Sequence, residues 1–347
     1  MNSLHAYLNL QNGTKMVGSS FGAREDVSGE LAFTTGMTGY TESLTDPSYT
    51  GQILIFSYPL IGNYGVEPMQ FWESKKIHVR GVIVAQYNET PSHHASTEAL
   101  AQWLQRERIP ALAVNDTRAL IQTIVRDGAL NATITHGAHK LPYHDPNRDH
   151  LVREVSTATA YTEGNGAKHI VLIDCGVKRN IQRLLLARGV TVTTVPYDVD
   201  PVRDGIACDG VVISNGPGDP KMVVETIQTV KHILQRRIPV LGICLGNQIL
   251  ALATGGDTYK LAYGHRGQNH PCTEVGTKRS FLTTQNHGYA VGTMPRDFVP
   301  WFTNANDGTN EGIKHKRLPY MSVQFHPEAS PGPMDTEWIF DQFLSQV

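Results

Sequence analysis

Residues 238–256 read IPVLGICLGNQILALATGG. A short run of β-branched and apolar residues, Ile238–Ile243, leads directly into Cys244, and a helical apolar stripe (Ile249, Leu250, Ala253) follows. Glycines at 242 and 246 flank the thiol. This is the pattern of a strand, a sharp turn and a helix that together hold a nucleophile at the apex. Each glycine is expected where a Cβ would crowd the turn. A helix N-terminus behind the sulfur favours its anionic form. A small buried cysteine among core glycines is the ordinary alternative, and the strand–G-x-C-x-G–helix order argues against it.

Outward from this turn the chain alternates. His169–Asp174 reads as a buried strand, followed by a helix through Ile181, Leu184 and Leu185 that closes at Gly189. Val190–Val195 and Gly210–Ser214 read as further strands, and Val223, Ile227, Val230 and Leu234 as the stripe of another helix. Alternation at this spacing predicts an α/β domain over 168–347 with a largely parallel, doubly covered sheet and ligands at the strands' carboxyl ends. The segment 137–167 is polar, carries Pro142 and Pro146, and reads as a linker. Before it, residues 1–136 show an alternating strand (Leu4, Ala6, Leu8, Leu10) running into Asn12-Gly13. Strand-like runs follow at Glu30–Thr34, Gln52–Ser57 and His78–Tyr87, with helices near Ser96–Arg106 and from the N-cap Asp116 to Gly128. That mixture predicts a compact N-terminal α+β domain.

A cysteine nucleophile needs a base to carry its proton to the leaving amine, and the base needs an orienting partner. SVQFHPEASPGP ends a strand on His326, with Glu328 two residues beyond and Pro327 stiffening the turn. The order Cys244…His326…Glu328 within one α/β domain forms a specific constellation, which an isolated HPE does not. An oxyanion also needs donors. ISNGPGDP, at the end of the third strand, offers the N–H of Gly218, and the elbow offers that of Leu245.

The bulk properties narrow the field. The chain has 347 residues, enough for two domains that each bury a core, and 40% apolar against 18% charged residues is a globular balance. A net charge of −2 offers no electrostatic case for nucleic acid or an anionic membrane. No apolar run approaches the roughly 18 residues of a membrane span, and MNSLHAYLNLQNG does not read as a signal peptide. The four cysteines (Cys175, Cys208, Cys244, Cys272) include no CxxC pair, so a reducing, cytoplasmic setting is expected. His265 with His270, and His93 with His94, lack carboxylate or cysteine ligands at metal-binding spacing, so no metal is expected. Gly216–Pro220 lacks the lysine and Ser/Thr of a phosphate-binding loop, so ATP is not expected on this chain.

SNGPGDP, GICLGNQ and FHPE, in this order, resemble the class I glutamine amidotransferase domain, whose Cys–His–Glu triad hydrolyses the side-chain amide of glutamine. TGMTGYTESLTDPSYTGQILIFSYPLIGNYG at 35–65 and NDTRALIQTIVRDGALNATI at 115–134 closely resemble the N-terminal domain of the carbamoyl phosphate synthetase small subunit. GHRGQNHP (264–271) and TTQNHGYAV (283–291) match that subunit too, so the likeness covers nearly the whole chain. It implies Cys244 as nucleophile, His326 as general acid/base and Glu328 as its orienter. It implies glutamine contacts from Ser48, Lys178, Gly216, Gly218, Leu245, Gln248, Asn286, Gly288 and Tyr289. A lysine, a hydroxyl and loop amides suit an α-carboxylate, and Gln248 with backbone carbonyls suits an α-ammonium.

The resemblance further implies a large synthetase subunit as partner. That subunit would hold the ATP and Mg, receive the ammonia internally and make carbamoyl phosphate for arginine or pyrimidine synthesis. Three positions depart from the common pattern. Asn247 stands where histidine is usual, Phe325 where glycine is frequent, and Cys175 where an aromatic is common. Cys175 is expected to be a core thiol.

Overall fold

In the computed structural model, residues 5–347 are described, and Leu4 of the first predicted strand lies outside them. The chain folds as two compact units, Met1–Asp149 and His150–Val347. The stretch 137–167, expected as a linker, is divided between them. In the first unit, Tyr143 Oη donates to the Leu10 carbonyl (2.9 Å) and Asn147 Nδ2 to Glu30 Oε2 (2.7 Å). In the second, Thr157 N–H donates to Asp174 Oδ2 (2.8 Å), and Tyr161–Glu163 pairs antiparallel with Thr191–Pro196. Its polar residues serve hydrogen bonds to distant positions, which polarity alone does not reveal.

In the first unit seven strands close into a barrel. Their order is His5–Leu10, Lys15–Ser20, Ala111–Ala113, Gly81–Val84, Gln52–Phe56, Val27–Thr34 and Asn131–Thr135. The period-2 pattern sorts their side chains to two sides. Leu8, Leu10, Leu31, Phe33, Ile53 and Ile55 pack with Leu120 and Ile124 of the helix Thr117–Asp127. Ala32, Leu54, Phe56, Val82 and Val84 pack instead with Trp103 of the helix Leu100–Arg106. The predicted cap is present, since Asp116 Oδ1 accepts from Ala119 N–H at 2.8 Å. The TGMTGY segment is tied down by Tyr64, whose hydroxyl accepts from the N–H groups of Gly39 (3.0 Å) and Tyr40 (2.8 Å) while its ring stacks on that of Tyr40.

In the second unit one ten-stranded sheet runs Tyr161–Glu163, Thr191–Pro196, His169–Asp174, Gly210–Ile213, Val240–Ile243, Tyr320–Val323, Asn310–His315, Phe298–Asn304, Asp257–Glu274, Ser280–Thr293. The five strands from Thr191–Pro196 to Tyr320–Val323 are mutually parallel, as the alternation predicts. Beyond them the sheet continues antiparallel through a long ladder. Alternate residues of the parallel strands leave opposite faces. Val171, Ile173, Val211 and Ile213 meet Val230 and Ile233 of Val224–Gln235 and Ile249 and Leu250 of Leu245–Ala253. Ile170, Leu172, Val212, Leu241 and Ile243 meet Ile181 and Leu185 of Arg179–Ala187 and Phe340 and Phe343 of Trp338–Leu344. Each buried Leu or Ile contributes roughly 1.5–3 kcal/mol, so the sheet is anchored on both faces directly beneath the loops at its carboxyl end.

Candidate active site

Cys244 sits where the strand Val240–Ile243 meets the helix Leu245–Ala253, with φ +54° and ψ −100°. A side chain in that region is strained, and such strain concentrates at sites of function. The turn is held by Cys244 N–H to the Val323 carbonyl (2.8 Å) and Gly246 N–H to the Ser214 carbonyl (3.1 Å). Both glycines are there for space. A Cβ on Gly242 would lie 2.5 Å from the Gly246 carbonyl oxygen, and one on Gly246 would lie 2.2 Å from that of Ile213. The Leu245 amide opens the helix, and Gly218 has φ +86° in the neighbouring loop. Among the described residues neither amide donates to a backbone carbonyl. Gly216 packs against the Cys175 carbonyl, where a Cβ would come within 2.1 Å.

His326 follows the strand Tyr320–Val323 and is anchored by its own N–H to the Thr284 carbonyl (2.9 Å). Its Nδ1 meets Glu328 Oε1 at 2.6 Å, both side chains being buried. Its Nε2 is buried with no well-formed hydrogen bond. Burial alone would lower the pKa of His326, but the Glu328 carboxylate, and then the Cys244 sulfur, raise it well above the ordinary histidine value. Burial would raise Glu328, yet the Lys178 ammonium and His326 hold it well below the ordinary carboxylate range. Lys178, expected to anchor a substrate carboxylate, is itself buried here. Its Nζ is 3.2 Å from Glu328 Oε1 and donates to the Ala329 carbonyl. The structure therefore joins Lys178, Glu328 and His326 in one charged chain.

Around the sulfur lies a web of neutral amides, in which Gln324 and Ser322 join Asn247, Gln248 and Asn286, the residues named from the sequence. Ser322 Oγ donates to Asn247 Oδ1 (2.8 Å), and Asn247 Nδ2 donates to Gln324 Oε1 (3.0 Å). Gln324 Nε2 then points at Cys244 Sγ, 3.8 Å away. Gln248 Nε2 donates to Gln324 Oε1 (3.2 Å) and to the Tyr289 carbonyl (2.8 Å). The thiol donates to the Asn286 carbonyl at 3.8 Å, and Asn286 Oδ1 accepts from Arg266 Nη1 at 2.5 Å. Cys244, Leu245, Gln248, Asn286, Tyr289, His326 and Glu328 thus form one neighbourhood, with Gly288 between Asn286 and Tyr289 on the strand Ser280–Thr293. Ser48 belongs to the first unit, in the short turn Pro47–Tyr49, where its N–H donates to Asp46 Oδ1 at 2.8 Å. Its place two residues before His326 is the sequence signal that could have found Gln324. Both residues lie past the end of the strand Tyr320–Val323, and Phe325 between them packs edge-on against Phe302 in the core. Cys175 is fully buried and burial pushes its thiol up, as expected for a core cysteine.

A second polar cluster lies on the antiparallel half of the sheet. His265 Nδ1 meets Glu311 Oε1 at 3.0 Å and its Nε2 meets Asp307 Oδ2 at 2.9 Å. Burial lowers the pKa of His265, but these two carboxylates raise it to a net upward shift. The carboxylates missing from the linear spacing around His265 thus come from a different strand and turn. His265, His287 and Glu311 bring three donor atoms within 4.8 Å of one another and are the described residues that could hold a metal ion. In the structure both ring nitrogens of His265 face carboxylates. No helix among the described residues is long and apolar enough to cross a membrane.

The elbow cysteine and the buried His–Glu pair lie within residues 171–346, which match the family described as Glutamine amidotransferase class-I. Residues 8–134 match Carbamoyl-phosphate synthase small chain, CPSase domain. The Carbamoyl phosphate synthase arginine-specific small chain of Saccharomyces cerevisiae is 45% identical, over 97% of this chain and 87% of the relative. Its namesake in Aspergillus oryzae is 44% identical, over 99% of this chain and 80% of the relative. A glutamine amidotransferase structure from Thermotoga maritima is 20% identical over 50% of this chain and 82% of that chain, with a TM-score of 0.37. The chain belongs to the carbamoyl phosphate synthase small chain family and carries its glutamine amidotransferase domain.

Proposed function

We propose that this chain hydrolyses glutamine through Cys244, His326 and Glu328 and delivers the ammonia to a large synthetase subunit. The observation that carries the reading is the buried His326–Glu328 pair at 2.6 Å, coupled to a cysteine held in a strained strand-to-helix turn. The sulfur of Cys244 adds to the side-chain carbonyl carbon of glutamine, and the Leu245 and Gly218 amides receive the oxyanion. His326, having taken the thiol proton as the sulfur adds, gives it to the departing nitrogen, which leaves as ammonia while the glutamyl group stays on sulfur as a thioester. Water, losing a proton to the same histidine, then attacks the thioester, and glutamate leaves as the sulfur regains its proton. The balance is glutamine plus water to glutamate plus ammonia.

Glu328 fixes the ring through Nδ1 and Lys178 keeps Glu328 ionised, so Lys178 is better placed to support the base than to meet substrate. With both amide hydrogens of Gln248 committed, it can meet the substrate ammonium only through Oε1. Asn286, Gly288, Tyr289, Gly216 and Ser48 are assigned to glutamine by the family resemblance. ATP and Mg would belong to the partner, and the names of the relatives favour the arginine branch over the pyrimidine one. The test is carbamoyl phosphate synthesis by the chain assembled with its large subunit, wild type against Cys244→Ser. Glutamine-dependent synthesis should vanish and ammonia-dependent synthesis persist. Equal use of glutamine by both proteins refutes the reading.

A further inference from the structure

We infer that Gln324 is a further catalytic residue, a neutral hydrogen-bond donor to the Cys244 sulfur whose direction is set by Gln248 and Asn247. The inference rests on the reading of Cys244 as nucleophile. The direction of the web is fixed at the Tyr289 carbonyl, which can only accept. The Gln248 group 2.8 Å from that carbonyl is therefore Nε2, and the Gln324 atom 3.2 Å from that nitrogen is its acceptor, Oε1. The NH₂ of Asn247 must then face Gln324, whose Oε1 accepts it at 3.0 Å. With two donors on its oxygen, Gln324 has one stable orientation, and that orientation aims Nε2 at the sulfur. All four side chains are buried, so no water competes for these groups without a cost.

The chemistry needs such a donor twice. When the proton leaves Cys244 the sulfur becomes an acceptor, and it does so again when the thioester breaks and the sulfur departs with the electron pair. The 3.8 Å separation is long for a neutral thiol and shortens as charge gathers on sulfur. Gln324 therefore acts on the charged states of the sulfur and not on bound glutamine. A hydrogen bond to a charged group corresponds to roughly a ten- to hundred-fold change in rate.

The test compares Gln324→Met, Asn247→Asp and Cys244→Ala with wild type, in complex with the large subunit. Glutamate release and the rate at which iodoacetamide alkylates Cys244 at fixed pH are both measured. Gln324→Met removes the donor. Asn247→Asp is isosteric but sets a carboxylate oxygen against Gln324 Oε1, which opposes the orientation that Gln248 still favours and loosens the aim of Nε2 at the sulfur. Both variants should lose about ten- to hundred-fold in kcat and in alkylation rate, with the KM for glutamine held within about threefold. A merely structural role would raise KM or lower Tm and leave alkylation of the folded fraction unchanged. Should Gln324→Met fail to fold, Asn247→Asp decides. Alkylation and kcat within about twofold of wild type overturn the inference while Cys244→Ala remains inactive. Glutamate release by Cys244→Ala would instead overturn the nucleophile assignment beneath it.

Discussion

Replacing Glu328 by Gln tests the charged chain behind the nucleophile. Glu328 and Lys178 are 0% and 2% exposed, and Lys178 Nζ and His326 Nδ1 share the same oxygen, Oε1, at 3.2 and 2.6 Å. Glutamine can keep an oxygen at that position and retain both geometries while losing the negative charge. A buried ammonium is then left without its counter-ion, a change that costs about 3–5 kcal/mol when one partner of a buried pair is removed. The Ala329 carbonyl still accepts from Lys178, so the lower end, about 3 kcal/mol, is expected, a fall in Tm of roughly 6–12 °C for a unit of this size. Lys178→Met should cost a similar amount, because Glu328 is then buried with only His326 opposite. The double variant removes both charges, and its cost should fall short of the sum by about 2 kcal/mol. Thermal unfolding of the four proteins measures this coupling. If the single costs add within about 0.5 kcal/mol, Lys178 and Glu328 do not act as a pair and the assignment of Lys178 to the base is wrong.

Two other outcomes follow from the same geometry. Glu328 is depressed, so its stabilising contribution is complete above the ordinary carboxylate value of 4.5 and is lost as pH falls through its lowered value. His326 is raised, so its contribution is complete below 6.5 and is lost as pH rises through its elevated value. Tm against pH should therefore lose this increment at both extremes in wild type and show neither loss in a His326→Asn, Glu328→Gln double variant. Cys244→Gly should be inactive but more stable than wild type by about 1 kcal/mol, since glycine relieves φ +54° at the cost of chain entropy and a small packing loss. Calorimetry showing Cys244→Gly less stable than Cys244→Ala would mean the elbow stores no strain.

The parts of the site legible in the sequence are those built from neighbours along the chain. The elbow is one contiguous segment, and His326 and Glu328 are two residues apart, so residue type and spacing sufficed. Doubly wound alternation was likewise legible, because each strand and helix of the parallel half carries its own period. What escaped notice depends on contacts between elements far apart in the sequence. Asn247 reaches Gln324 across 77 positions and Ser322 across 75. His265 finds its carboxylates 42 and 46 positions away. Lys178 is a plausible carboxylate anchor in one dimension, and only the three-dimensional turn after Glu328 reveals which carboxylate it holds. The long antiparallel ladder Asp257–Glu274 with Ser280–Thr293 was hidden for a related reason. It contains register shifts, and these break the alternation on which strand reading depends.

The amide web also explains how Asn247 serves where related subunits usually carry histidine. The position has two demands: an acceptor for Ser322 Oγ and a donor for Gln324 Oε1. A neutral histidine can meet both, accepting at one ring nitrogen and donating at the other, but only as one of its two tautomers. A protonated ring would donate at both ends and turn the serine around. Asparagine meets both demands with no proton to gain or lose across the range in which His326 works. The departure therefore keeps a donor on Gln324 Oε1 and keeps a titratable ring out of the web around Cys244.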